Sequence, residues 1–159
     1  MSNLKIQNIW NSLKSMLTAQ ITPSGNLSYV LNLYEGYRED VPQNAFPCIM
    51  LDPVDESEKV IKLPYHVRMV LSVDIYCVTG YVVYDTQIAG DVSKNVKGIF
   101  DFCADVKNTL WADPSLQGSA LFFEFGKPIN YKFWNVNNYY YRAGVIQINV
   151  TQEATKVGR

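Results

Sequence analysis

An alternation of apolar and polar side chains over residues 67–77 constrains the fold of this chain more than any other feature of its sequence. One side of the alternation contains Val67, Met69, Leu71, Val73, Ile75 and Cys77, and the other contains Arg68, Ser72, Asp74 and Tyr76. Because successive side chains of a β-strand point to opposite faces, this pattern predicts a long strand with one face packed on a core. Such a sheet needs other elements to cover its apolar face.

Two segments have the spacing of amphipathic helices and can supply that cover. Residues 4–20 repeat apolar side chains at three- and four-residue steps, and a run of turn-forming residues follows. Residues 86–110 keep the same spacing for about six turns and end before Asp113 and Pro114. Gly98 lies inside the second segment, where we expect it to weaken the helix without breaking it.

Shorter segments have the composition of strands. Apolar runs of this kind occupy residues 29–37, 46–53, 121–125, 129–133 and about 140–152. Gly36 ends the first, which is compatible with a short strand. Pro47 and Pro53 bracket the second, at positions where a sheet tolerates proline. The charged residues that follow are expected to form a flexible hairpin tip at about 53–65, and residues 155–159 a frayed tail.

The order of these elements predicts the fold class. A chain of 159 residues fits a single domain, residues 1–159. Helices with one apolar stripe and strands with one apolar face bury each other most simply as an α+β fold. We therefore expect an antiparallel β-sheet of about four or five strands, covered on one side by two main α-helices.

The titratable residues do not form a recognisable catalytic, cofactor-binding or metal-binding pattern. His66 is the single histidine, and Asp74 lies too far along the strand to orient it. The carboxylates of residues 52–58 lack the ligand spacing of a calcium loop. Cys48, Cys77 and Cys103 have apolar neighbours and predict buried thiols. We therefore expect no enzyme, no cofactor and no metal.

The overall charge and the absence of long apolar segments limit the classes of binding partner that the sequence predicts. The net charge of −1 gives no basic excess for displacing the counterions of nucleic acid. No stretch approaches the ~20 apolar residues of a membrane span, and no signal peptide is evident at the N-terminus. These features predict a soluble protein that is made in the cytoplasm and does not contact a membrane.

The most unusual segment is an aromatic one near the C-terminus. Its candidate interface residues are Tyr131, Phe133, Trp134, Tyr139, Tyr140 and Tyr141. Tyrosine suits protein interfaces because it covers apolar area and keeps a polar end, and the chain has eleven tyrosines. Lys132 and Arg142 beside these rings leave open a second interpretation, stacking on single-stranded nucleic acid. Near-neutral charge favours protein contact.

The order of these motifs resembles that of the tail-terminator and head–tail joining proteins of long-tailed (siphovirus-like) bacteriophages. The resemblance covers most of the chain and depends on hydrophobic patterns. Its motifs are the helix 4–20, the strands 46–51 and 68–76, the helix 86–110, the segment 110–118 and the closing strand 141–150.

This resemblance implies a virion structural protein of the tail or neck. Such a subunit closes into a ring of its own copies, commonly a hexamer, stops polymerisation of the tail tube and provides the surface for head attachment. The implied partners are a tail tube protein and a head-completion (connector) protein, and DNA passes through the ring without sequence-specific binding. The expected tube contact is the charged tip, with Asp55, Glu56, Glu58, Lys59 and Lys62. A head-completion or tube-adaptor role is the neighbouring alternative.

Overall fold

The elements of the fold are taken from a computed structural model that describes residues 2–62, 66–80, 84–94, 96–136 and 139–155. Helices are α1 (Ser2–Gln20), α2 (Tyr84–Ala89) and α3 (Ile99–Trp111). Strands are β1 (Asn32–Glu35), β2 (Cys48–Lys62), β3 (His66–Val78), β4 (Phe122–Phe125), β5 (Asn130–Val136) and β6 (Tyr139–Thr155). Every predicted helix or strand segment therefore contains an observed element, although several boundaries differ.

A single mixed sheet joins all six strands that lie within the described residues. The strands are ordered β1-β2-β3-β6, and β4 and β5 both pair with β6. Because β3 occupies one edge of β6, β4 and β5 follow each other along the other edge, at residues 148–151 and 139–145. The α+β class is thus confirmed in its coarse form. The sheet has six strands within the described residues where about four or five were expected, and it departs from an antiparallel sheet at β1, which pairs parallel to β2.

The predicted alternation of residues 67–77 is confirmed along β3. All six apolar members of the alternation are buried: Val67, Met69, Leu71, Val73, Ile75 and Cys77. The neighbouring strand aligns with them in register, so that Val73 faces Ile148 and Ile75 faces Ile146. The main buried cluster joins these strand residues to α1 and α3, for example to Leu13 and Phe102.

A second buried cluster lies on the opposite face of the same sheet. Tyr76 and Val78 belong to it, whereas Cys77 between them belongs to the main cluster. Phe46 and Tyr141 pack in this second cluster. The sheet therefore carries apolar contacts on both faces where the chain enters β2.

The predicted single helix over residues 86–110 is wrong, because the chain folds back on itself between α2 and α3. Gly90 has a φ of +80°, and Asp91 bridges Val96 in the short loop that follows. A Cβ atom on Gly98 would collide with the backbone of Ile88 and Gly90. The loop thus needs glycine for its close backbone approach, and α3 begins only after Gly98.

The segment predicted to form the hairpin tip, at about 53–65, is strand up to Lys62. β2 continues as a strand through Lys62 and pairs with β3 until Lys62 faces His66, with two irregularities in register. Exposed charged side chains do not prevent this, since the pairing is made by backbone groups. Residues 63–65 lie outside the described residues. Residues 156–159 of the expected frayed tail also lie outside the described residues. Its first residue, Thr155, is the last residue of β6.

Candidate interaction surfaces

The single histidine belongs to a cluster of charges at the end of β3. His66 Nε2 lies 3.1 Å from an oxygen of Glu153, and Arg68 donates to the other oxygen at 2.7 Å. The hydrogen bond to Arg68 and then that to His66 hold the pKa of Glu153 below its ordinary value. Asp74 instead accepts a hydrogen bond from Gln147. The structure therefore does not bring Asp74 and His66 together.

The cysteines and carboxylates form no metal site within the described residues, where no group of three metal-binding side chains occurs. Cys48, Cys77 and Cys103 are free and buried, as their apolar neighbours predicted. Burial raises the pKa of the Cys48 thiol to about 12, so that it is protonated at neutral pH. These thiols act as small core side chains.

The aromatic segment is divided between the two faces of the sheet. In the β5–β6 ladder Tyr131 faces Gly144 and Phe133 faces Arg142. A Cβ atom on Gly144 would touch Ile99 and Cys103 of α3, so this row of residues lies on the face of the sheet that packs against α3. Tyr131, Phe133 and Tyr140 share that face and are 41%, 58% and 45% exposed.

Tyr141 points to the other face and is wrongly placed among the interface candidates. Its side chain is 0% exposed, and its ring stacks on Phe46 with the centroids 4.0 Å apart. A side chain that is fully buried within its own chain cannot gain contact area from a partner. The side chains of Trp134 and Tyr139 lie outside the described part of the structure, so their predicted role stays a prediction.

Two exposed aromatic residues of α3 extend this surface and were not predicted from the sequence. Phe100 meets Tyr131 edge to face at 5.3 Å between centroids. Trp111 packs on Phe123 and Phe125 at 5.1 and 5.6 Å. Both are 52% exposed. We call Phe100, Trp111, Tyr131, Phe133 and Tyr140 the aromatic surface.

The signal for these residues was present in the sequence as a second stripe on the helix. Phe100, Ala104, Lys107 and Trp111 follow one another at four-, three- and four-residue steps. Such spacing places them on one side of a helix. The stronger buried stripe, which includes Phe102, Val106 and Leu110, concealed it.

Two cations lie over the rings at this side of the sheet. The Arg142 guanidinium carbon is 3.8 Å from the centroid of Phe133. Lys107 Nζ is 4.9 Å from the centroid of Phe125. A cation over a ring face is attracted by the quadrupole of the ring and typically contributes ~0.5–1 kcal/mol when it is exposed. Two cations therefore lie beside the aromatic surface.

The opposite edge of the sheet carries a different exposed apolar surface. β1 covers β2 only at residues 48–51, and within the described residues no strand pairs with the outer side of residues 53–62. Exposed apolar side chains here are Leu31, Val54, Val60 and Ile61, at 38–55% exposure. We call these four residues, together with Glu56 and Glu58, the β1–β2 edge. Asp55, Glu56, Glu58, Lys59 and Lys62 are all exposed on this strand.

No helix within the described residues is long and apolar enough to cross a membrane. No protein-family model matches the chain, and a search of curated protein sequences found no relative.

Proposed function

We propose that this chain is a phage virion structural protein, a tail terminator that closes into a ring of its own copies, commonly a hexamer. The ring caps the tail tube, stops its polymerisation and provides the surface for head attachment. It acts in the tail or neck of the virion, and in the host cytoplasm during assembly. The subunit works without catalysis or a cofactor, and DNA passes through the ring without sequence-specific binding.

One observation carries this proposal: the aromatic surface and the β1–β2 edge lie at opposite edges of one sheet. A ring uses a heterologous contact, in which one patch of each subunit meets a different patch of the next. A two-fold dimer would need only a single self-complementary patch. Two unlike exposed apolar surfaces, on opposite flanks, are what a ring-forming subunit requires.

The composition of the aromatic surface supports a protein partner. Aromatic residues are enriched in protein interfaces, and tryptophan, tyrosine and arginine dominate their binding energy. Trp111, Tyr131 and Tyr140 are all at least 41% exposed in the isolated chain. Such rings lose water contact most effectively against another protein surface.

The proposed ring also requires that the helices leave the edges of the sheet free. In it, α1 and α3 cover one face, so that the free edges are available to neighbouring copies. The charged residues of β2, from Asp55 to Lys62, then contact the tail tube. They lie on a paired strand, which presents them in a fixed order, since cross-strand pairing holds each side chain on a known face.

The test is the assembly state of the purified protein, alone and mixed with a tail tube protein. Light scattering and negative-stain electron microscopy are expected to show rings, and addition of the protein to polymerising tube protein is expected to shorten the tubes. A protein that stays monomeric at every concentration and leaves tube length unchanged would refute the proposal. Binding to a head-completion protein without any effect on tubes would favour the neighbouring role of a head-completion or tube-adaptor protein.

A second candidate, a single-stranded nucleic-acid binding module, rests on the same exposed rings. Arg142 beside Phe133 combines a cation with a stacking platform. However, the guanidinium lies over the ring at 3.8 Å and occupies a face on which a base would stack. Salt-dependent binding of single-stranded DNA that is lost in Phe133→Ala and Tyr140→Ala would favour this candidate.

A further inference from the structure

We infer that the aromatic surface of one copy docks on the β1–β2 edge of a second copy, with Lys107 of the first opposite Glu56 of the second. This inference rests on the proposed ring and names the contact that joins its subunits, and it assigns Glu56 to that subunit contact instead of to the tail tube. Its occupant is another copy of this chain, because the two edges of the sheet match each other in face, in height along the strands and in charge.

The contact residues of the two edges lie on the same face of the sheet. Glu56 pairs with Leu71 in the β2–β3 ladder, so both side chains point to the same face of the sheet. Leu71 belongs to the buried cluster that includes α3. Lys107 is part of α3, which packs on this face. When rotation relates copies whose sheets meet edge to edge, each face continues into the same face of the next copy.

The two edges also match in height along the strands. One row of paired residues crosses the sheet through Phe123, Val150, Leu71 and Glu56. Phe123 contacts Trp111 at 5.1 Å, and Trp111 lies one helical turn from Lys107. The Trp111 end of the aromatic surface is therefore level with Glu56 at the other edge. A closed ring has no rise between copies, so elements at equal height meet when the strands run along the ring axis, which is the orientation that the inference takes.

A second row gives the other end of the contact. It runs through Tyr131, Gly144, Cys77, Ile49 and Leu33. Tyr131 and its neighbour Phe100 are thus level with β1. Leu31, which is 55% exposed, lies directly before β1. The Tyr131 end of the aromatic surface therefore has an apolar counterpart, Leu31, at the same height, whereas the Trp111 end has the carboxylate of Glu56.

The two sides differ in net charge. Residues 35–62, around the β1–β2 edge, contain seven carboxylates and three cations. Residues 97–142, around the aromatic surface, contain five cations and four carboxylates. Opposite potentials steer partners together and fix their register. The aromatic surface of one copy therefore attracts the β1–β2 edge of the next copy. Two β1–β2 edges carry charge of the same sign and attract each other less.

The test reverses the two charges. Glu56→Lys and Lys107→Glu are each expected to weaken ring formation about tenfold or more, measured by light scattering across a concentration series. The double variant restores the pair within every contact and is expected to recover most of the wild-type association. Asp55→Lys is the matched control, because it makes the same charge change on the adjacent residue, whose side chain points to the other face with Ser72.

Disulfide cross-linking tests the same contact if a charge-reversal variant folds poorly. Glu56→Cys combined with Lys107→Cys is expected to give a ladder of disulfide-linked oligomers, because β3 and β6 separate the two positions within one chain. Asp55→Cys with Lys107→Cys should give no ladder. The native cysteines are buried and do not interfere.

The outcomes separate this inference from the proposed function. Rings that form normally in Glu56→Lys, or that the double variant fails to rescue, would overturn the docking arrangement and leave the ring in place. A wild-type protein that forms no oligomer, alone or with tube protein, would overturn both.

Discussion

Phe46 and Tyr141 stack nearly parallel, with ring centroids 4.0 Å apart and 23° between their planes. This contact joins the segment before β2 to the last strand, on the face of the sheet away from α3. Tyr140, the preceding residue, is 45% exposed on the α3 face, whereas Tyr141 is fully buried. Adjacent tyrosines therefore have opposite roles, the first at the surface and the second in the core.

Replacement of these two tyrosines by alanine should separate the roles. Tyr141→Ala should lower the free energy of unfolding by roughly 3–5 kcal/mol, because it leaves a cavity beside Phe46. Tyr140→Ala should cost less than about 1 kcal/mol and instead weaken self-association. Urea unfolding measures the first effect and light scattering the second. Equal losses of stability in both variants would contradict the assignment of faces.

Adjacent residues of α3 provide a similar contrast. Ile99 is 1% exposed, whereas Phe100 is 52% exposed. Ile99→Asp is expected to unfold the domain, since a buried unpaired charge is costly. Phe100→Asp should fold normally and fail to assemble. Circular dichroism melting with size-exclusion chromatography distinguishes them, and a normal melting curve for Ile99→Asp would show that the wrong face of α3 has been placed in the core.

Gly144 allows α3 to approach the sheet closely. A Cβ atom there would lie 2.5 Å from Cys103 Sγ and 3.3 Å from Ile99 Cδ1. Gly144→Ala should therefore destabilise the protein by about 1–3 kcal/mol through overpacking. Cys103→Ala in the same chain should recover part of this loss, which a double-mutant cycle in urea measures. Strictly additive effects would show that the thiol is not the limiting contact.

The charge cluster at the end of β3 should make stability depend on pH. Arg68 and then His66 lower the pKa of Glu153 below its ordinary value of 4.5. A lowered folded-state pKa contributes stability that is complete above the ordinary value and is lost as pH falls through the folded pKa. Unfolding by urea between pH 7 and pH 3 should show this loss. Glu153→Gln and Arg68→Ala should both flatten the profile, and an unchanged slope in either would contradict the prediction.

Side-chain periodicity in the sequence determined most of the secondary structure. The alternation of residues 67–77 identified β3 and its buried face, and the spacing of residues 4–20 identified α1. Both patterns work because each element buries one side, and burial selects apolar side chains at the period of the element. The buried cysteines followed from the same reasoning.

Only the tertiary structure decided where elements end and which surfaces face each other. The apolar spacing of residues 86–110 continues across the loop at Gly90 and Gly98, although Val92 in that loop is 98% exposed, so the spacing does not reveal where one helix ends and the next begins. β2 continues through charged residues because backbone pairing with β3 does not depend on side-chain polarity. Tyr140 and Tyr141 differ in burial because strand register assigns them to different faces, and register depends on partners distant in sequence. The pairing of Phe100 with Tyr131 likewise needs the packing of α3 beside β5, which local sequence does not encode.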